Sequence, residues 1–382
     1  MYLYKGFTYS ILGLLLMTDM LNLAFLFGTR PEIIKIAPIY QALRKRTSHK
    51  VTLLSTGQHQ DQADDQFGIF NIKPDVNLNL MKRDQQWISF LHRAIPRIEK
   101  ELLELKPDCL FIQGDTVSTL SGAIVANSLK IPLAYVESGL RTHTEKEPFP
   151  EEMNRVLISK MADFNFSPTE KSRQNLIREG IKGESIFVTG NTIVDSIKNA
   201  GVEKCQNYLF NRKVLITLHR QDSMIYLKGI AMELAKFAQL HQNLDFIFPL
   251  HKNPKIRKLI MPTLDSINNV TLMEPVNYLE MLNLIKESLF VVSDSGGIQE
   301  EATSLGIPVA IARDNTERIE GVELGVSMLM GRKQDVFQKN LCYFFEKISQ
   351  GRVSFSENPY GDGHASERII NVIHDSYGLC KV

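Results

Sequence analysis

The sequence predicts an α/β protein made of two Rossmann-like domains whose parallel sheets face a central cleft. Three observations predict it. Short apolar stretches rich in Val, Ile and Phe alternate with helical stretches, as strands covered on both faces do. Two of those stretches end in small-residue turns that open helices. Gly28-Thr29-Arg30-Pro31-Glu32 follows Leu21 to Phe27, and Ser293-Asp294-Ser295-Gly296-Gly297-Ile298-Gln299-Glu300-Glu301 follows Leu289 to Val292. Finally, 382 residues are enough for two domains. A strand-to-helix turn lets backbone amides approach a phosphate, so two of them suggest one anionic ligand, a sugar nucleotide, held between two domains.

Taken in order, residues 1–19 read as a leader, either disordered or not native to the working protein. Its apolar core, Ile11 to Met17, is too short to span a bilayer, and Asp19 follows it closely. The first domain is expected over 20–190. Its strands are Leu21–Phe27, Val51–Ser55, Cys109–Gln113, Leu133–Glu137 and Ser185–Val188. Ser167-Pro168-Thr169-Glu170 reads as a capping box that opens a helix ending at Gly180. The boundary falls near Gly190-Asn191, and the second domain runs over 191–364. Its strands are Val214–Thr217, Phe246–Leu250, Val270–Met273, Leu289–Val292 and Val309–Ile311. A last helix, 365–382, packs on either domain, with a return to the first kept open.

Composition narrows the function. A net charge of +1 lacks the basic excess of a nucleic-acid footprint. Cys109, Cys205, Cys342 and Cys380 are widely spaced, which suits a reducing, cytoplasmic setting better than disulfides or a zinc site. No G-x-G-x-x-G follows a strand, no P-loop occurs and no Asp-x-Asp occurs, so neither a cofactor nor a metal is expected. Side chains must then carry the chemistry. Asp115, Glu137, Glu151 and Glu152 lie just after first-half strands, where open α/β sheets bind ligands. They read as acid–base groups, or else as a helix cap and ion pairs. His219-Arg220 and His251 close successive second-half strands and suit a diphosphate. Arg313 and Arg318 either clamp the same group or line a solvated loop. Gly57-Gln58-His59-Gln60-Asp61-Gln62 is either a polar turn or a hydrogen-bonding wall for a sugar.

The ordered motifs resemble the non-hydrolysing UDP-N-acetylglucosamine 2-epimerases. They include Gly-Thr-Arg-Pro-Glu-Ile-Ile-Lys at 28–35, Thr-Gly-Gln-His at 56–59, Gly-Asp-Thr at 114–116 and Val-Glu-Ser-Gly-Leu-Arg-Thr at 136–142. Pro-Glu-Glu-Met-Asn-Arg at 150–155, Asp-Ser-Gly-Gly-Ile-Gln-Glu-Glu-Ala at 294–302 and Asn-Pro-Tyr-Gly-Asp-Gly at 358–363 continue the series. The resemblance implies a glycosyltransferase-B-like fold, UDP in the cleft and a homodimer. It implies reversible conversion of UDP-GlcNAc to UDP-ManNAc by loss and re-addition of UDP, with no nucleic acid or membrane as partner. It puts Arg30, Lys35, Asp115, Glu137, Glu151 and His219 at catalytic positions. Arg30, His219, Arg220, Ser295, Gly296, Gly297 and Arg318 fall on the UDP diphosphate and Glu301 on its ribose. Gln58, His59, Gln62 and Gln85 fall where some members bind a second UDP-GlcNAc as activator. The usual Gly-His-Arg is Leu218-His219-Arg220 here.

Overall fold

A computed structural model describes residues 20–46, 49–57, 70, 72–82, 86–144, 148–219 and 224–379. The leader, Gln58, His59, Gln62, Gln85 and Arg220 lie outside these. Seven strands form the first sheet: β1 (Asn22–Phe27), β2 (Lys50–Ser55), β3 (Val76–Asn77), β4 (Cys109–Gln113), β5 (Leu133–Val136), β6 (Phe164–Ser167) and β7 (Ile186–Val188). Their spatial order is β3-β2-β1-β4-β5-β6-β7. Every pairing is parallel, as in Leu23 opposite both Val51 and Cys109. Six strands form the second sheet: β8 (Lys213–Thr217), β9 (Asp245–Pro249), β10 (Val270–Met273), β11 (Ser288–Ser293), β12 (Val309–Ile311) and β13 (Ser327–Leu329). Their order, β10-β9-β8-β11-β12-β13, is again wholly parallel.

Alternation along β1 explains the sheet's double burial. Leu23, Phe25 and Phe27 enter one apolar cluster, while Ala24 and Leu26 enter another on the opposite face. Phe25 stacks on Phe111 with ring centroids 4.5 Å apart, tying β1 to β4. Strand order reverses between β1 and β4 in the first sheet and between β8 and β11 in the second. Such switch points leave a crevice beyond the strands' carboxyl ends.

Helices α1 (Arg30–Arg46), α2 (Trp87–Leu105), α3 (Val117–Leu129), α4 (Glu151–Met161) and α5 (Glu170–Arg178) accompany the first sheet, and α6 (Thr192–Asn199), which packs on α1, leads from it to the second. Helices α7 (Met224–Leu240), α8 (Pro254–Leu264), α9 (Tyr278–Lys286), α10 (Gly296–Ser304), α11 (Ile319–Glu323) and α12 (Gln334–Ser349) accompany the second. The last helix, α13 (Ala365–Ser376), returns to pack on α1 and α6. Asp195 of α6 caps it, accepting the amides of Ala365 at 3.2 Å and Ser366 at 2.8 Å. His49 and His374 meet Nε2 to Nε2 at 2.8 Å beside it. Two connecting segments run side by side here: the Asn191 amide donates to the Tyr360 carbonyl at 2.8 Å, and Arg368 Nη1 to the Thr189 carbonyl at 3.0 Å. Among the described residues no helix is long and apolar enough to cross a membrane.

Some expected bounds move. β5 stops at Val136, because Glu137 turns out with φ of +69°. Ser185 ends a short 3-10 turn ahead of β7. The predicted strand at Phe246–Leu250 runs one residue earlier, over Asp245–Pro249. The expected capping box is misplaced. Ser167 is claimed by β6, and Thr169 caps α5 instead, its Oγ1 accepting the Ser172 amide at 3.1 Å. Strands β3, β6 and β13 were not foreseen.

Candidate active site

At the first switch point β1 runs into Gly28 and β4 into Gly114. The Gly28-Thr29 turn is not the open phosphate cradle expected from the sequence. Glu32 Oε2 already accepts the amides of Gly28 at 2.5 Å and Thr29 at 2.9 Å, closing the helix end with its own carboxylate. Thr116 and Thr119 hydroxyls donate to the other oxygen at 2.5 and 3.1 Å. Burial raises the Glu32 carboxyl even against these four donors. Gly28 is needed for a different reason. A Cβ there would lie 2.6 Å from Thr56 Oγ1 and closer still to Ser118 Oγ.

Past that turn, α1 presents Arg30 and Lys35 to the cleft side of the sheet. Lys35 is buried and ion-pairs both Glu137 and, at 2.7 Å, Glu300 of α10. Gln113 Nε2 donates to the second oxygen of Glu137. Asp115 does not cap α3; Thr116 does. The Asp115 carboxylate instead accepts Arg155 Nη1 at 2.5 Å, and Asn154 donates to its carbonyl at 2.7 Å. Arg155, 2 % exposed, also binds Glu152 at 2.6 Å, one helical turn before it. Glu151 stands at the first position of α4.

At the second switch point β8 delivers His219 and β11 delivers Asp294 and Ser295. Asp294 is fully buried and accepts the His219 amide at 3.0 and 3.1 Å. Its Oδ1 lies 3.4 Å from His219 Nδ1, which fixes the ring. His251 stacks on that ring at 5.9 Å. Ser295 precedes α10, whose first amides, those of Gly296 and Gly297, have no acceptor within the helix. Here the open, electropositive helix end survives. Gly296 is required, since a Cβ would stand 2.6 Å from Arg318 Cζ. Glu301 is buried on α10, where burial pushes its carboxyl up to about 8 against the pull of Arg30.

The two halves meet through charge. Arg318 Nε donates to Glu300 Oε1 at 2.9 Å, Nη1 to Glu317, and Nη2 lies 3.4 Å from Glu137 Oε1. Arg313 binds Glu317 at 2.9 Å and is a buried brace, not a solvated loop. Burial raises Glu137, and the Glu300 carboxylate beside it adds to the rise against Lys35 and Arg318. Burial acts on Glu300 too, but Arg318 and Lys35 outweigh it and hold that group ionised. The structure thus gathers Lys35, Glu137 and Arg318 in one cluster, with Asp115 on the adjoining Arg155 pair. Arg30 stands beside Glu301, while His219, Ser295 and Gly296 share the facing switch point. Sequence reasoning gave no role to Glu32, Arg155, Asp294, Glu300 or Glu317. Arg155 had one signal, its spacing of three from Glu152; the others had none without the fold.

The family profile described as UDP-N-acetylglucosamine 2-epimerase matches residues 41–374. The UDP-N-acetylglucosamine 2-epimerase of Escherichia coli K12 is 37% identical over 366 residues, 92% of this chain and 97% of its own. The crystal structure of the UDP-GlcNAc 2-epimerase from Neisseria meningitidis bound to UDP-GlcNAc is 36% identical and superposes with a TM-score of 0.86. It covers 92% of this chain and 99% of that one. The Methanocaldococcus jannaschii UDP-GlcNAc 2-epimerase in complex with UDP-GlcNAc and UDP is likewise 36% identical, with a TM-score of 0.82 over 93% and 99% of the two chains. With most of its length accounted for in both sequence and fold, the chain belongs to the UDP-N-acetylglucosamine 2-epimerase family.

Proposed function

We propose that the chain interconverts UDP-GlcNAc and UDP-ManNAc at C2, by elimination and re-addition of UDP, supplying a surface-polysaccharide precursor. The C2 hydrogen has no adjoining carbonyl, so it leaves only in concert with a good leaving group. A base takes the C2 proton, the C–H electron pair becomes a C1–C2 double bond, and the C1–O bond breaks with its electrons going to UDP. The glycal-like intermediate takes a proton on the other face as UDP returns. The observation that carries this reading is the facing of two unlike sites across the cleft. One offers carboxyls with different environments, and the other offers an open helix N-terminus with a histidine.

Asp115, Glu137 and Glu151 are the proton-transfer groups in this reading. Glu137, raised by burial, is the one suited to hold a proton at neutral pH. Arg30, His219, Arg220, Ser295, Gly296, Gly297 and Arg318 receive the diphosphate, Glu301 the ribose, and Lys35 steadies Glu137. Domains of 20–190 and 191–364 close over the intermediate and keep water out. The working form is a cytoplasmic homodimer, and light scattering checks its size. Gln58, His59, Gln62 and Gln85 form an activator site, tested by a lag in turnover of pure UDP-ManNAc. The main test is NMR of UDP-GlcNAc with the protein in heavy water. UDP-ManNAc deuterated at C2 is expected; free ManNAc with UDP, or an unchanged sugar nucleotide, would refute the proposal.

A further inference from the structure

Glu300 is fully buried on α10, beside the second sheet, and shares Lys35 and Arg318 with Glu137. Its Oε1 accepts Arg318 Nε at 2.9 Å and its Oε2 lies 2.7 Å from Lys35 Nζ. Lys35 and Arg318 both also contact Glu137, so the two carboxyls are bridged by the same two cations. Two carboxyls and two cations thus share one buried cluster. Like charges so close favour one shared proton, and the titration belongs to the pair. Other groups facing it are Glu317, on Arg318, and Glu301, one residue along the same helix. Tyr278 and Tyr360 lie within electrostatic reach of Glu300, and Tyr135 of Glu137. Arg318 is also the side chain that Gly296 must be small to admit, so the cluster abuts the open end of α10.

Resting on the epimerase reading, we infer that Glu300 is a positioning residue. It holds Lys35 and Arg318 against Glu137 and so governs the proton transfer that Glu137 makes at C2. Without the Glu300 charge, Lys35 acts on Glu137 alone and Arg318 is shared only between Glu137 and Glu317, so Glu137 gives up its proton at lower pH.

The experiment compares pH profiles of kcat for the unmodified chain and Glu300→Gln, with UDP affinity measured by calorimetry. The limb belonging to Glu137 is expected to move down by about one to two pH units. UDP affinity should hold within about threefold or tighten, since a negative charge has gone from beside the diphosphate turn. Glu300→Asp keeps the charge, so its limb should stay within about half a unit of the unmodified one. An unmoved limb in Glu300→Gln, or an equal displacement in both variants, overturns the inference. If Glu300→Gln does not fold, Glu300→Asp decides alone, and a limb displaced by a full unit overturns it. An unmodified chain that exchanges no C2 proton refutes the epimerase reading instead. Carboxyl NMR titration of Glu137 in both proteins then reads the pairing, with the same downward displacement expected and its absence overturning it.

Discussion

Glu301 sits where losing water matters more than gaining a cation. Burial pushes its carboxyl from an ordinary 4.5 up to about 8, although Arg30 pulls the other way. The folded protein therefore binds this proton more tightly than the unfolded chain. Its contribution is full below about pH 4.5 and is lost as pH rises through about 8. Glu301→Gln should raise the melting temperature by several degrees at pH 8.5, from up to a few kcal/mol, and hardly at pH 5. Equal shifts in thermal scans at the two pH values would contradict this. Asp115→Asn and Glu137→Gln should slow C2 deuterium exchange by about 10²–10⁴-fold while UDP affinity changes little. Near-normal exchange would remove both from proton transfer. Asp115 and Glu137 were legible because each follows an apolar strand, and strand ends can be read from the pattern. Glu300 was not, because its partners Lys35, on α1, and Glu137, just past β5, belong to the other half of the chain. The use of the Gly28 and Thr29 amides was hidden for a related reason. Nothing local says that Glu32 folds back rather than facing outward.

Among elements, the turn from β1 into α1 is tightly packed. It packs the chain against Thr56 and Ser118 with no room for a methyl group. Gly28→Ala should cost about 1–3 kcal/mol in urea unfolding, and Gly28→Ala with Ser118→Ala should recover part of it. If the single change is neutral, the turn is looser than the geometry requires. By comparison, Thr169→Ala should cost about 1 kcal/mol, the ordinary loss of a helix cap. The central strands were legible because burial on both faces demands unbroken apolar runs. The edge strand β3 is two residues long and carries no such run. Ser167 failed as a cap because pairing with β7, Ser167 opposite Val188, draws it into the sheet. Long-range pairing overrode a local signature there.

At the scale of the whole molecule, alternation of strands and helices announced the two parallel sheets. It did not say that α13 would return to α1, because an amphipathic helix advertises an apolar face without naming its partner. That return means the chain passes between the two sheets twice. The passages are bonded where they meet, Asn191 to Tyr360, and Gly190 and Gly361 nearly touch. A door hung on two pins swings about one line and resists twisting. The cleft should therefore open as a swing, with labels at its mouth separating while labels beside the paired passages stay at fixed distance in pulsed spin-label measurements with and without UDP. The same pairing has a mechanical consequence. If one passage were severed by a protease, the other would still tether the halves, so that a nicked molecule could keep its melting behaviour while losing the confined swing that keeps a bound intermediate away from water.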